Sequence, residues 1–191
     1  MEQIELPAVM ILVGPKHAGK TSTGKALAKI ISGSFIDLDD EIGRSTGKSP
    51  RQLFREGEQV FRIAEFKAVQ SLLRTINQNL DNKKQDHYVI AAGGGIVDNP
   101  EAIESLKKSG VIINLELSSE KAWERIKSSA EKTGELPPFL QTDDPVATHR
   151  MLHERRAKAY RDLADLTIDA DLEPPELRAQ EIVRRVFRNL P

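Results

Sequence analysis

The residues best suited to chemistry stand together near the amino terminus, in Gly14-Pro15-Lys16-His17-Ala18-Gly19-Lys20-Thr21. Their spacing is G-x-x-x-x-G-K-[ST], with the apolar run Val9-Met10-Ile11-Leu12-Val13 in front and a helix-forming segment, Thr23 to Ile31, behind. Such a loop turns backbone N–H groups toward a polyphosphate, and the helix N-terminus adds partial positive charge. Lys20 then reaches the β- and γ-phosphates, and Thr21 ligates Mg²⁺. The nucleotide-binding candidates are Gly14 and the run His17-Ala18-Gly19-Lys20-Thr21-Ser22. The plain alternative is a glycine-rich turn between a strand and a helix. Chance matches are rare at average glycine usage, and the flanking strand and helix make them rarer.

Three further sets carry weaker signals. Asp37-Leu38-Asp39 closes an apolar run, and alternation along a strand puts both carboxylates on one face, toward the ligand crevice of an open parallel sheet. One carboxylate near Mg²⁺ and one near a substrate hydroxyl is the division phosphoryl transfer needs, whereas a solvated turn with a helix N-cap is the alternative. Gly93-Gly94-Gly95 is either a flexible turn or a place where backbone approaches a ligand and offers N–H donors. Arg62, taken alone, reads as a helix-surface arginine paired with Glu58 or Glu65.

The elements that must position these residues alternate along the chain, which predicts an α/β fold with a mostly parallel sheet. Strands are expected at Ala8 to Val13, Ser34 to Leu38, His87 to Ala92, Val111 to Leu117 and Leu166 to Ala170. The first helix carries Leu27, Ile30 and Ile31 on one side. A longer helix runs from Glu58 to Ile76 through Phe61, Ala64, Ala68, Leu72 and Ile76, before a polar loop from Asn77 to Asp86. Between them, Ser49 and Pro50 mark a helix start inside a small inserted subdomain, 39–64. The pattern breaks from Ser128 to Asp144, where a mobile lid is expected, and a helix from Pro145 to Tyr160 follows. A terminal helix from Pro175 buries Ile182, Val183, Val186, Phe187 and Leu190.

Composition narrows the classes. The 191 residues suit one domain, and 28 basic against 29 acidic side chains give no support for a nucleic-acid or membrane partner. With no cysteine, thiolate metal sites and thiol nucleophiles are excluded. The start Met1-Glu2-Gln3-Ile4-Glu5 lacks the basic character of a secretory signal, so a cytoplasmic protein, expected as a monomer, is the default.

Together these segments resemble the shikimate kinases, a branch of the nucleoside-monophosphate-kinase-like P-loop fold. The resemblance rests on the loop with Thr23-Gly24, F-I-D-L-D at Phe35 to Asp39, T-G-K-S before Leu53-Phe54, and G-E-Q-V-F-R at Gly57 to Arg62. The triple glycine and R-A-K-A-Y at Arg156 to Tyr160 complete it. It implies a five-stranded parallel sheet flanked by helices, a small substrate-binding helical insertion and a lid. It also implies Mg²⁺-dependent transfer of the γ-phosphoryl of ATP to the 3-hydroxyl of shikimate, an anionic polyol. On that likeness Lys20 stabilises the transferred phosphoryl, Asp37 holds Mg²⁺ through water, and Asp39 binds the substrate hydroxyls and is the candidate base. Arg62 and Arg156 clamp the substrate carboxylate, Gly94 and Gly95 add backbone contacts, and Phe54 and Phe61 line the ring pocket. Context thus reverses the reading of Arg62.

The likeness also implies departures. Where family lids carry R-P-L-L, this chain has Pro137-Pro138-Phe139-Leu140, and where another arginine lies near adenine it has Ala130-Glu131-Lys132. His149, His153 and Arg156, at i, i+4 and i+7, share a helix face, so His149 or the adjacent Arg150 is expected to supply the missing charge. An ordinary solvated face is the alternative. Two other functions stay open at this stage: a paralogue acting on another hydroxylated acid such as gluconate, and a nucleotide-binding module with little kinase activity.

Overall fold

The structure, a computed structural model, describes residues 6–189, and side chains as far as 187. The Met1–Glu5 start and Leu190, both used above, lie outside the described residues. Five strands, β1 (Val9–Val13), β2 (Ser34–Asp37), β3 (Tyr88–Ala91), β4 (Val111–Glu116) and β5 (Leu166–Asp169), form one parallel sheet in the order β2-β3-β1-β4-β5. Every residue of β1 is buried, as a central strand covered on both faces requires.

Helices α1 (Lys20–Ile30), α6 (Ser119–Thr133) and α8 (Pro175–Asn189) contribute Leu27, Ala122 and Ile182 to the apolar layer on one face. Helices α2 (Leu38–Thr46), α3 (Pro50–Glu56), α4 (Glu58–Asp81), α5 (Pro100–Ser109) and α7 (Pro145–Leu163) build the other, around Ile11, Ile42, Val69 and Ile90. Because β3 and β4 flank β1, the chain leaves the first strand in opposite directions there, and a crevice opens at the carboxyl ends. Register makes those ends level: Leu12 and Asp37 both stand opposite Ala91. Gly14, Asp39 and Gly93 each follow such a rung by two residues, so three separate segments reach one rim.

The inserted helices α2 and α3 form as expected. Ser49 caps α3 in a full capping box with Gln52, and Pro50 occupies the first turn. Several boundaries differ. Leu38 opens α2 rather than closing β2, so Asp37 and Asp39 do not share a strand face. Asp37 ends the strand and caps α2, accepting from the Asp39 N–H at 3.1 Å, and Asp39 lies in the first helical turn. Helix α4 continues through the expected loop to Asp81, with Leu80 packed on the core. Helix α6 likewise runs on to Thr133, where Gly134, in the left-handed region at φ 80°, stops it and donates to the Ala130 carbonyl. The irregular segment therefore spans 134–144, shorter than expected, and α7 extends to Leu163. Ile30 is 44% exposed at the edge of the stripe formed by Leu27 and Ile31, and Phe187 is also exposed on the flank of α8.

Candidate active site

The cleft at the carboxyl rim encloses about 920 Å³. The phosphate loop forms one wall, with Gly19 in the left-handed conformation (φ 87°) directly before α1. Lys20 is buried, and its ammonium donates to the carbonyls of Gly14 at 2.9 Å and Pro15 at 2.8 Å. Burial lowers its pKa to about 8, with Asp39 and Asp37 opposing the shift. Ser22 donates to the Gly19 carbonyl and faces the cleft. Gly14 lies at the base of the loop, where a Cβ would meet the Leu115 carbonyl oxygen at 2.5 Å, and Ala18 is fully buried. His17 has φ 61°, and burial followed by the charges of Lys16 and Lys20 depresses its ring to about pKa 4. It therefore offers a phosphate no cationic ring.

The Thr21 hydroxyl donates to Asp37 Oδ2 at 2.8 Å, joining the first residues of α1 to the end of β2. These are hard oxygen donors, and Mg²⁺ characteristically takes one or two protein oxygens together with substrate phosphates and water. The pair fits such a site without a larger cluster, and among the described residues no group of three or more His, Cys, Asp or Glu side chains is placed to hold a metal ion. Asp39 also faces the cleft, and its pKa is raised by desolvation and by the neighbouring Asp37 charge.

The opposite wall comes from α4, α7 and the triple glycine. Phe54 and Phe61 pack with centroids 6.1 Å apart, and Arg62 lies over the Phe61 ring. Arg62 donates to Gly95 O at 2.9 Å and to Glu65 at 3.1 Å, and it also reaches Glu58, so the expected helix pairing forms while the side chain lines the cleft. Glu65 is itself 1% exposed and accepts from Asn99. Burial raises its pKa, partly offset by Asn99 and Arg62. Arg156 donates twice to Asp98 Oδ2, at 2.9 and 2.6 Å, and stacks on Phe139 of the irregular segment. Arg62 approaches the same oxygen at 3.5 Å.

Asp98 is thus a pivot that the sequence reading missed, as it missed Asn99 as more than a helix start, whereas the Arg62–Glu65 pair is the one expected from helical spacing. Burial acts to raise the Asp98 pKa, but Arg156 and Arg155 more than offset it and hold the carboxyl below its ordinary value. Asp98 is absent from the cleft lining, so it positions the two guanidiniums from behind. Asp98→Asn keeps the shape and removes the charge; the expected result is a KM for the acceptor about tenfold higher, or about 1.4 kcal/mol, with kcat within about threefold. Steady-state kinetics at saturating ATP checks this, and an unchanged KM would show that α4 and α7 hold the forks unaided.

His149 and Arg150 do not fill the expected role. His149 is buried against Trp123 and His153, at ring-centroid distances of 5.4 and 5.5 Å, and lines a small side pocket that adjoins the main cleft. Burial first, then His153 and Arg156, lower its pKa. His153 is likewise lowered by burial, partly offset by the Leu117 carbonyl. Arg150 is exposed and does not line the cleft. Two folded pKa values below the ordinary 6.5 mean that the unfolded chain binds more protons below that pH. Stability from the neutral rings is complete above it and is lost as pH falls. Between about pH 7.5 and 5.5 the wild-type Tm should drop more than that of His149→Gln/His153→Gln, by about 2 °C or more. Parallel Tm curves for the two proteins would refute this.

A parallel sheet with this order, a phosphate loop after the first strand and a carboxylate opposite it are the features of a P-loop kinase fold, and the family match below makes it a phosphotransferase with an alcohol acceptor. The family model described as "Shikimate kinase" matches residues 16–187. The chain is 34% identical to a shikimate kinase of Hahella chejuensis over 92% of this chain and 84% of that one. It is 35% identical to one of Caldanaerobacter subterraneus, over 94% and 96%. A solved shikimate kinase from Acinetobacter baumannii, in complex with shikimate, superposes with TM-score 0.80 at 31% identity, covering 96% of this chain and 94% of that one. The chain belongs to the shikimate kinase family.

Proposed function

We propose that this chain transfers the γ-phosphoryl of ATP to the 3-hydroxyl of shikimate, acting as a cytoplasmic monomer in aromatic amino-acid biosynthesis. No helix among the described residues is long and apolar enough to cross a membrane. The observation that carries the substrate reading is the meeting of two guanidiniums, from α4 and α7, on one carboxylate beside the same cleft that holds Asp39 and the phosphate loop. Paired planar forks suit a carboxylate ligand, and Phe54 and Phe61 provide an apolar wall for its ring.

The loop amides and Lys20 bind the phosphates, while Gly94 and Gly95 bring backbone to the acceptor. Thr21 and Asp37 would hold Mg²⁺, which when bound supplies charge neutralisation on the β- and γ-phosphate oxygens. Asp39 orients the 3-hydroxyl and accepts its proton as the hydroxyl oxygen forms the new P–O bond. The bond from the γ-phosphorus to the β–γ bridging oxygen breaks, and ADP leaves with that electron pair. Residues 39–64 form the acceptor-binding subdomain, and the segment within 128–144 is the lid, tied to α3 through Glu135, Arg51 and Arg55.

The lid is read as atypical, with Pro137 where the family motif carries arginine. It gives the cleft Ser128, Ser129 and Lys132 from the end of α6, then Pro137, Pro138 and Phe139. A coupled ADP-release assay with shikimate, with gluconate and without acceptor tests the function. Strong shikimate dependence is expected; gluconate dependence, or ATP binding without turnover, would overturn it.

A further inference from the structure

Charge develops on the phosphoryl group between the phosphate loop and Asp39, and the cations facing that point differ in how they are engaged. Lys20 donates to two loop carbonyls, and Arg62 and Arg156 converge on Asp98. Arg51 pairs with Glu135, and Arg125 donates to the His17 carbonyl at 3.0 Å and lies 3.5 Å from Asp171. The irregular segment 134–144 adds only proline and phenylalanine to the cleft wall.

Three lysines of the cleft wall, Lys16, Lys25 and Lys132, have neither a hydrogen-bond nor an ion-pair partner among the described residues; Lys25 lies over the Phe35 ring and Lys132 in the last turn of α6, whereas Lys16 sits inside the phosphate loop itself. Its backbone is seated against the triple glycine: a Cβ on Gly94 would come within 2.8 Å of Lys16 N and 3.4 Å of Lys16 Cβ. The side chain is solvent-accessible, as a ligand-facing group in an open cleft must be. The walls nevertheless desolvate it, and its electrostatic neighbours are Asp39 and Arg51. An unpaired ammonium carried on loop backbone that cannot easily retreat, with Asp39 as its carboxylate neighbour, is placed to meet negative charge in the cleft.

We propose that Lys16 is a catalytic residue whose ammonium contacts the phosphoryl group during transfer. This rests on the shikimate-phosphorylation reading above. Lys16 keeps its proton throughout; the hydroxyl proton goes to Asp39, and ADP leaves with the electron pair of the broken P–O bond. The contact strengthens as the equatorial oxygens gain charge, so its effect falls on kcat rather than on ground-state binding.

Lys16→Met tests it by removing the charge while keeping an unbranched stem. The expected result is kcat lower by about 10²-fold, the low end for loss of one preorganised donor, with KM for ATP and for shikimate within about threefold. Binding of ADP with aluminium fluoride and shikimate should weaken by a similar factor while MgADP affinity holds. Lys16→Arg should recover at least about a tenth of the wild-type rate. Thermal melting accompanies each variant, and Lys16→Gln is read by the same criteria if Lys16→Met melts early. A kcat within about threefold of wild type, or a loss confined to the KM for ATP, overturns the proposal. A wild-type protein inert toward shikimate would instead refute the functional reading, so the two failures are separable.

Discussion

Asp39→Asn is expected to lower kcat by about 10²- to 10⁴-fold while MgATP affinity stays within about threefold, because the amide preserves shape but accepts no proton. Asp39 faces the cleft from the first turn of α2, where the Asp37 cap fixes the helix start. Desolvation and the Asp37 charge make it a stronger base than an ordinary aspartate, against the opposing pull of Lys20 and Lys16. A carboxylate with raised pKa takes a proton more readily. Single-turnover rapid quench is the suitable measurement, since product release masks chemistry in many kinases. A loss of less than about tenfold would make Asp39 an orienting hydrogen-bond acceptor and not the base.

That carboxylate also shows where sequence reasoning succeeded and where its physics was wrong. Asp37 and Asp39 were expected in one site because alternate residues of a strand share a face. They do reach one cleft, but through a strand end followed by a helical turn, with Asp37 capping the helix that carries Asp39. The alternative that the sequence left open, an N-cap, is part of the site. The phosphate loop was legible because its glycines, lysine and threonine act through local backbone geometry, and the Ser49–Gln52 capping box is local in the same way. Alternating elements and an apolar β1 made the parallel sheet legible, though not the order of its strands.

What stayed hidden depends on partners distant in the chain. Asp98 acquires its role only when α7 brings Arg156 against it from 58 positions away. Arg178 is 1% exposed and looks in sequence like one more charge on an amphipathic helix. It donates to Thr23 of α1 at 2.8 Å and to the carbonyls of Ala170 and Leu172, fastening α8 to the helix that the phosphate loop opens. His149 failed in the opposite direction: spacing put it on the Arg156 face, but packing on Trp123 buried it in neutral form. Spacing along a helix says which residues are neighbours, whereas desolvation decides which of them stay charged.

The same close packing makes Gly94→Ala the most informative small change. A methyl group there would stand 2.8 Å from Lys16 N and 3.2 Å from Lys16 Cα, distances that backbone atoms cannot accept, so the phosphate loop or the turn after β3 must move. Either movement separates donor and acceptor halves of the site, because Gly94 O also accepts from Arg156 at 3.3 Å. A displacement near 1 Å costs about 10²-fold in rate, and disturbance of the carboxylate clamp adds to KM, so kcat/KM should fall by more than about 10²-fold. The fold should survive, since overpacking one methyl typically costs about 1–3 kcal/mol; that corresponds to a Tm lower by roughly 2–12 °C for a chain this size. Steady-state kinetics beside a melting curve tests both halves. Near-wild-type kcat/KM with an unchanged Tm would mean that loop and glycine turn slide past one another freely, and the seat assigned to Lys16 would then lose its rigidity.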